Sequence, residues 1–177
     1  VHKASIVARG HAGGYTLKLP YEEKRLQTRK EFLDDIAVAL GGYVAEKMIF
    51  DDLTTGPSSD LRTASALAHD MVAKYGMSDT FGPTVFEEPG GRLYTGRDGF
   101  APREYSENVS AKIDAEATKI VYEALARAEN LIKENRKALD AIADALIERE
   151  TLEHADFEEI LEKEGIAPKK REVKEVV

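Results

Sequence analysis

An aspartate at the start of an apolar-periodic segment is the first residue of this sequence with a potential role in chemistry. Asp60 closes the turn-forming stretch TTGPSSD and opens a run whose apolar residues recur at helical spacing. A carboxylate at a helix start often caps backbone amides and interacts with the helix dipole, which contributes about 0.5–2 kcal/mol. A carboxylate is also a metal ligand where further ligands converge. The residues alone leave both roles open.

Glu46, in the segment VAEK, is a second candidate metal ligand, because many zinc enzymes take a glutamate from a downstream helix. Its simpler role is that of a solvated helix carboxylate. No two histidines have the i, i+4 spacing of paired zinc ligands on one helix. His69 follows Asp60 by nine residues, about 13.5 Å along a helix axis, so the two cannot share a metal within that helix. Surface or packing roles are expected for all four histidines, which are His2, His11, His69 and His154.

The composition excludes several classes of function. The chain has 177 residues, a net charge of −8 and no cysteine, so disulfides, thiolate metal sites and a cysteine nucleophile are excluded. A surface for nucleic acid would need clustered positive charge. No apolar run approaches the ~20 residues that span a bilayer. The sequence has neither a G-x-x-x-x-G-K-[ST] phosphate loop nor a G-x-S-x-G nucleophile motif.

Hydrophobic periodicity predicts a mainly α fold with a small β element near the N-terminus. The glycine-rich stretch GHAGG separates Ile6 and Val7 from residues 15–17, which predicts a β-hairpin. A capping box at Thr28–Glu31 predicts the start of a first helix, which Gly41 and Gly42 interrupt. A lone hairpin is marginal in water, so it should pack on helices or pair with another strand.

Further helices are predicted after residue 59 and in the last 70 residues. The second ends near Gly76. Helices over 106–135 and 136–150 should form a C-terminal helical hairpin, and a short helix follows over 154–165. Pro83–Tyr105 is predicted to be a long loop with a short strand at Thr84–Phe86.

Motifs in chain order over residues 1–162 carry a family resemblance. These are VHKASIVARG, GGYTLKLP, ALGGYVAEKMIF, TTGPSSDL, MSDTFGPTVF, YTGRD, YSENVSAKIDAEATKIV and RKALDAIADALIERETL. Together they resemble the peptidase domain of the FtsH-type membrane-anchored ATP-dependent zinc metalloproteases. The sequence departs from the family at Ser110, where the family often has threonine or alanine.

The resemblance implies roles for particular residues. In the family, zinc is held by two histidines of an H-E-x-x-H helix and by the aspartate of T-T-G-x-x-x-D-L, which is Asp60 here. The glutamate of H-E-x-x-H is the general base, and Glu46 would have a supporting role. Residues Ser5, Ile6 and Val7 would line a strand edge that binds extended substrates.

This sequence contains no H-E-x-x-H motif, so it holds one of the three ligands and no catalytic residue. The family places its zinc helix shortly before the point where this sequence starts, and the sequence does not begin with methionine. We therefore expect a fragment cut downstream of the motif, inactive as given, whose general-base glutamate lies upstream. The alternative is a natural loss of the motif, which would leave a non-catalytic helical assembly module with the family's ring interface.

The resemblance also implies a functional setting. It predicts a helical peptidase domain over 1–164, followed by a charged, disordered tail over 165–177. The complete enzyme would hold one zinc per subunit and form a homo-hexamer. The ATPase domain of the same polypeptide would use ATP to deliver unfolded membrane and cytosolic proteins. The location would be the cytoplasmic face of a bacterial inner membrane, and no nucleic-acid partner is expected.

Overall fold

The computed structural model describes residues 1–8, 10, 13–17, 26–87 and 105–167, which form two compact units. One unit comprises Val1–Lys24 and Lys133–Val177, and the other Arg25–Ile132. The described helices are α1 Arg29–Ala39, α2 Gly41–Phe50, α3 Ser58–Ala73, α4 Glu107–Glu134, α5 Arg136–Arg149 and α6 His154–Lys163. The described strands are β1 Lys3–Ser5, β2 Tyr15–Leu17 and β3 Thr151–Glu153. The predicted mainly α fold class is confirmed.

The unit Arg25–Ile132 begins with a helix whose first turn is fixed by the predicted capping box. The amide of Glu31 donates to the Thr28 hydroxyl at 3.3 Å, and the Thr28 amide donates to the Glu31 carboxylate at 2.8 Å. Helix α1 ends at Ala39, and α2 begins two residues later at Gly41. Leu40 between them is buried in the core, and its packing stabilises the boundary between α1 and α2. This boundary is the helix interruption that Gly41 and Gly42 predicted.

The core of this unit is built from α1, α2, α3 and α4. Helix α1 contacts α3. Many of the buried residues are alanines, whose small side chains allow helix axes to approach closely. The largest fully buried side chains of the unit are Ile36, Leu40, Val44, Met71, Val72 and Ile113. Helix α3 is therefore anchored in the core from Ala64 to Ala73.

The other unit contains a three-stranded antiparallel sheet of order β2-β1-β3. The predicted hairpin is present as β1 and β2. The third strand comes from residues 151–153, which the sequence had not predicted, and it satisfies the hairpin's need for another strand. Gly14 allows the hairpin to close, because a Cβ there would lie 2.6 Å from the carbonyl oxygen of Ser5. The central strand β1 thus has paired neighbours on both sides.

Two local predictions are wrong. The first strand is Lys3–Ser5, so Ile6 and Val7 follow it. Thr84–Phe86 is not a strand, because the amides of Phe86 and Glu87 donate to the carbonyl of Ala73 and close the end of α3.

Several predictions concern residues outside the described ranges. These are His11, residues 88–104 of the predicted loop, and residues 168–177 of the predicted tail. Helices α4 and α5 are separated by Asn135 alone, and their hairpin stays a prediction. No described helix is both long and apolar enough to cross a membrane.

Candidate functional site

Asp60 lies in the first turn of α3, two residues after Ser58 begins that helix. Its residue is exposed, and the helix start has no side-chain cap hydrogen bond. Among the described residues, no hydrogen bond or ion pair engages its carboxylate. The capping hydrogen bond considered from the sequence is therefore not made. The negative charge at the positive end of the helix dipole remains, on a residue that is exposed.

The turn before α3 is held by Glu46 of α2. The amide of Thr54 donates to Glu46 Oε2 at 2.9 Å, and the Thr54 hydroxyl donates to Oε1 at 2.9 Å. The Thr54 hydroxyl oxygen in turn accepts from the amide of Gly56 at 3.0 Å. Both oxygens of Glu46 are thus engaged with one residue, which suits a residue that positions the turn better than a metal ligand.

Gly56 is the residue that lets this turn close around Glu46. A Cβ at position 56 would lie 3.1 Å from Glu46 Oε1 and 3.1 Å from the Thr54 hydroxyl oxygen. That separation is tighter than ordinary van der Waals contact, so a larger residue would displace one of the two oxygens. The next residue, Pro57, is buried, and its carbonyl accepts the helical hydrogen bond of Leu61 at 2.9 Å. The segment from Thr54 to Asp60 is therefore fixed at both ends.

The predicted substrate-binding residues occupy two different environments. Ser5 is buried in the central strand, where it pairs with Tyr15 on one side and Thr151 on the other. Its position is therefore not an open edge. Ile6 and Val7 follow β1 and are exposed, although the amide of Ile6 donates to the carbonyl of Glu150 at 3.0 Å. Binding of an extended substrate stays a prediction, with Ile6 and Val7 as its solvent-accessible members.

The comparisons with known proteins agree on one family. The family model described as Peptidase family M41 matches residues 1–160. The chain is 43% identical over 166 residues to the ATP-dependent zinc metalloprotease FtsH 1 of Thermoanaerobacter sp. (strain X514), which covers 94% of this chain and 27% of the relative. It is 45% identical over 153 residues to an ATP-dependent zinc metalloprotease FtsH of Veillonella parvula, covering 86% and 24% respectively. The chain belongs to peptidase family M41.

A third M41 relative, from Caldicellulosiruptor bescii, is 43% identical over 161 residues, covering 91% of this chain and 26% of the relative. This relative is also an ATP-dependent zinc metalloprotease FtsH. The chain spans about a quarter of the length of these curated relatives. The family match covers residues 1–160 of this chain.

The described part of this M41 chain fits the family's zinc at one position. Within those ranges, no group of three or more histidine, aspartate or glutamate side chains could hold a metal ion. Zinc peptidase sites use three protein ligands, and Asp60 has the chemistry and exposure of one. Glu46 is already engaged with Thr54. The described residues therefore contain one candidate ligand, Asp60, and one carboxylate that is already hydrogen-bonded, Glu46.

Two of the described histidines, His69 and His154, contact carboxylates within their own units. His69 lies 3.9 Å from carboxylate oxygens of Asp70 and Glu87. His154 contacts the carbonyl of Val1 at 2.8 Å through Nδ1 and the Glu158 carboxylate at 3.2 Å through Nε2. These contacts agree with the surface and packing roles expected from the sequence.

The roles of Thr54 and Gly56 were missed by reasoning from residue types. Both lie in the TTGPSSDL motif, but nothing in their spacing indicates that a glutamate eight residues before Thr54 binds it. Their position inside a long family motif was the available signal.

Proposed function

We propose that this chain is most of the proteolytic domain of an ATP-dependent zinc metalloendopeptidase, in which Asp60 supplies the carboxylate ligand of the zinc. The observation that supports this role is an exposed residue whose carboxylate has no hydrogen bond or ion pair among the described residues, at a helix start that follows a turn bound by Glu46. A ligand must be both free and pre-positioned, because ordering it at the moment of binding would weaken metal affinity.

The remaining ligands and the general base belong to an H-E-x-x-H segment upstream of Val1 in the complete protein. Two histidines at i and i+4 on one helix point the same way, and Asp60 would complete the three protein ligands. When bound, zinc polarises a peptide carbonyl and acidifies a water molecule. The part played by this chain is to hold the Asp60 carboxylate at a fixed position and to keep Glu46 off the metal.

The assembly and location of the complete enzyme are proposed from family membership and from the relatives, which are named as ATP-dependent proteases. The ATPase domain of the same polypeptide would unfold membrane and cytosolic proteins and deliver them to a six-membered ring. That ring would lie at the cytoplasmic face of a bacterial inner membrane.

The test compares two aspartates in the complete protein. Asp60→Ala should lower zinc-dependent casein hydrolysis by more than about 100-fold, because groups that merely support a metal ligand are worth about 10–100-fold. The rate of ATP hydrolysis should stay within about twofold of the unmodified enzyme, since nucleotide chemistry uses other residues. Asp114→Ala is the matched control, because Asp114 is an exposed aspartate on α4 in the same unit.

Persistent casein hydrolysis in the folded, zinc-loaded Asp60→Ala protein would reject the ligand role. Reading the coding sequence upstream of Val1 gives an independent check. An intact upstream sequence without H-E-x-x-H would leave the non-catalytic assembly module as the better description.

The chain as given should bind zinc weakly, because one carboxylate cannot hold the ion against water. Calorimetric titration of the 177-residue chain should show no micromolar zinc site. A micromolar site that disappears in Asp60→Ala would mean that this chain alone supplies the missing ligands.

A further inference from the structure

The side chain of His154 binds the backbone that precedes β1. Strands β1 and β3 pair as far as Lys3 and Glu153, whose side chains also form an ion pair at 2.6 Å. The next residue, His154, begins α6, so the backbone of β3 does not continue along the chain that precedes β1. His154 Nδ1 lies 2.8 Å from the carbonyl oxygen of Val1. An imidazole therefore binds a carbonyl that lies just beyond the end of the strand pairing.

The acceptors around His154 determine which ring nitrogen carries a proton. A backbone carbonyl accepts hydrogen bonds and cannot donate them, so the contact with Val1 requires a proton on Nδ1. The other ring nitrogen, Nε2, lies 3.2 Å from the Glu158 carboxylate, which is also an acceptor. A neutral ring has one proton and donates to one of the two groups, and the shorter contact is the one with Val1. The contact with Glu158 then becomes an ion pair only when the ring gains a second proton.

The two contacts of the His154 ring differ in what they join. Glu158 lies four residues further along the same helix, so that contact stays within α6. Val1 lies 153 positions away in sequence, so its contact joins α6 to the chain that enters β1. Both residues belong to the unit formed by Val1–Lys24 and Lys133–Val177. Loss of the Nδ1 contact would therefore release the backbone before β1 and leave the helix itself in place.

We propose that His154 is a positioning residue for the zinc site, because its Nδ1–H holds the carbonyl of Val1 and so fixes the point at which the upstream zinc-binding segment enters this unit. This inference rests on the proposed function, which places the H-E-x-x-H segment upstream of Val1. It adds a counterpart to Glu46. Glu46 binds the turn that leads into Asp60, and His154 binds the chain that follows the proposed histidine ligands. Groups that orient metal ligands in this way raise the affinity for the metal without touching it.

The first experiment determines the tautomer of His154 in the 177-residue chain without metal. Long-range ¹H–¹⁵N NMR spectra distinguish an Nδ1–H ring from an Nε2–H ring, and His154→Ala identifies the signals of this residue. At about pH 8, where a histidine ring is mostly neutral, we expect the Nδ1–H tautomer. A ring in the Nε2–H form would overturn the proposal, because it could not donate to the carbonyl of Val1.

The second experiment compares His154→Asn with His154→Gln in the complete protein. The side-chain amide nitrogen of asparagine can take the position of Nδ1, whereas that of glutamine reaches the position of Nε2. Backbone hydrogen exchange over residues 1–5, followed by mass spectrometry, should be about fivefold faster in His154→Gln. The Kd for zinc, measured by competition with a chelator, should rise about fivefold in the same variant. His154→Asn should keep both quantities within about twofold of the unmodified protein.

Glu158→Gln is the matched control, because it alters the contact of Nε2 and leaves the acceptor of Nδ1 in place. It should change neither the exchange rate nor the Kd for zinc by more than about twofold. Faster exchange with an unchanged Kd in His154→Gln would make His154 a purely structural residue and overturn the proposal, as would equal behaviour of the Asn and Gln variants. If Asp60→Ala abolished zinc binding and His154→Gln left it unchanged, this inference alone would fail. If Asp60→Ala left zinc binding unchanged, the ligand role of Asp60 would fail, whatever the tautomer of His154.

Discussion

Two turns in the unit Arg25–Ile132 are held by the same device, a glutamate on one helix that accepts hydrogen bonds from a hydroxyl-bearing turn. Glu46 holds the Thr54 turn. Glu116 of α4 holds the turn after α3, where the hydroxyls of Ser78 and Thr80 donate to it at 3.3 and 2.8 Å. The two turns differ in what surrounds them.

The Glu116 turn has a buried acceptor, Glu116, and a buried hydroxyl, Ser78, although Thr80 is exposed. Glu116 is 8% exposed, and the Ser78 hydroxyl oxygen accepts from the amides of Thr80 and Phe81. The Glu46 turn instead leads into the first turn of α3, where Asp60 is exposed. The difference shows that a helix glutamate can stabilise a fold or present a site. The role of such a glutamate depends on whether the polar groups next to the turn that it binds already have hydrogen-bond partners.

The largest effect on stability is expected at the buried turn. Glu116→Ala should lower the free energy of unfolding by about 2–4 kcal/mol, because the buried Ser78 hydroxyl and the Thr80 hydroxyl both lose their acceptor. Urea unfolding measures this loss. Glu123→Ala is the control, since Glu123 is on the same helix with a side chain that is 63% exposed, and it should change stability by less than about 0.5 kcal/mol. Equal urea midpoints for Glu116→Ala and Glu123→Ala would contradict the stabilising role of the Glu116 turn.

At the open turn, activity should change more than stability. Glu46→Ala in the complete protein should lower casein hydrolysis by about 10–100-fold, as expected when a group that orients a metal ligand is removed. The free energy of unfolding should fall by only about 1 kcal/mol, because the hydrogen bonds lost are solvent-exposed. A large loss of stability with normal specific activity would make Glu46 a structural residue like Glu116.

A smaller effect is expected at the glycine that packs against Glu46. Gly56→Ala places a Cβ 3.1 Å from both Glu46 Oε1 and the Thr54 hydroxyl oxygen, so it should shift the turn and lower casein hydrolysis about fivefold. Gly42→Ala is the matched control, because a Cβ there meets no atom within 4 Å. Because Gly42 is the second residue of α2, that change should stabilise by no more than about 1 kcal/mol. Identical behaviour of the two variants would show that the close approach at Gly56 is unimportant.

The smallest effect is expected at a carboxylate that belongs to neither turn. The hydrogen bond from Lys163 lowers the pKa of Glu159, and both side chains are exposed. The pKa of Glu159 is lower in the folded state than in the unfolded state. The contribution of this interaction to stability is therefore fully present above the unfolded-state pKa, and it is lost as the pH falls through the folded-state pKa. Lys163→Met should therefore change the unfolding temperature slightly at pH 7 and not at pH 2. If Lys163→Met destabilised the fold as much as Glu116→Ala, the expectation that buried carboxylates contribute more to stability than exposed ones would be contradicted.

The sequence was a good guide wherever a structural signal is local. Helical periodicity and the Thr28–Glu31 capping box predicted the helices, because each signal depends on residues within one or two turns of each other. The TTGPSSDL motif identified Asp60 as the candidate ligand. The left-handed φ of 58° at Gly76 agrees with its predicted role in ending a helix, although α3 itself stops at Ala73.

Contacts between residues distant in sequence were decided only by the tertiary structure. Pairing of β3 with β1 joins residues almost 150 positions apart, and it makes Ser5 part of a central strand where an open edge had been expected. Ser78 finds its buried acceptor 38 positions away on α4. Neither contact has a periodicity that a sequence displays, because each depends on how whole elements pack. Local chemistry thus determined which helices form and which carboxylate to examine, whereas packing determined that Glu46 binds Thr54 and that Asp60 has no hydrogen-bond partner among the described residues.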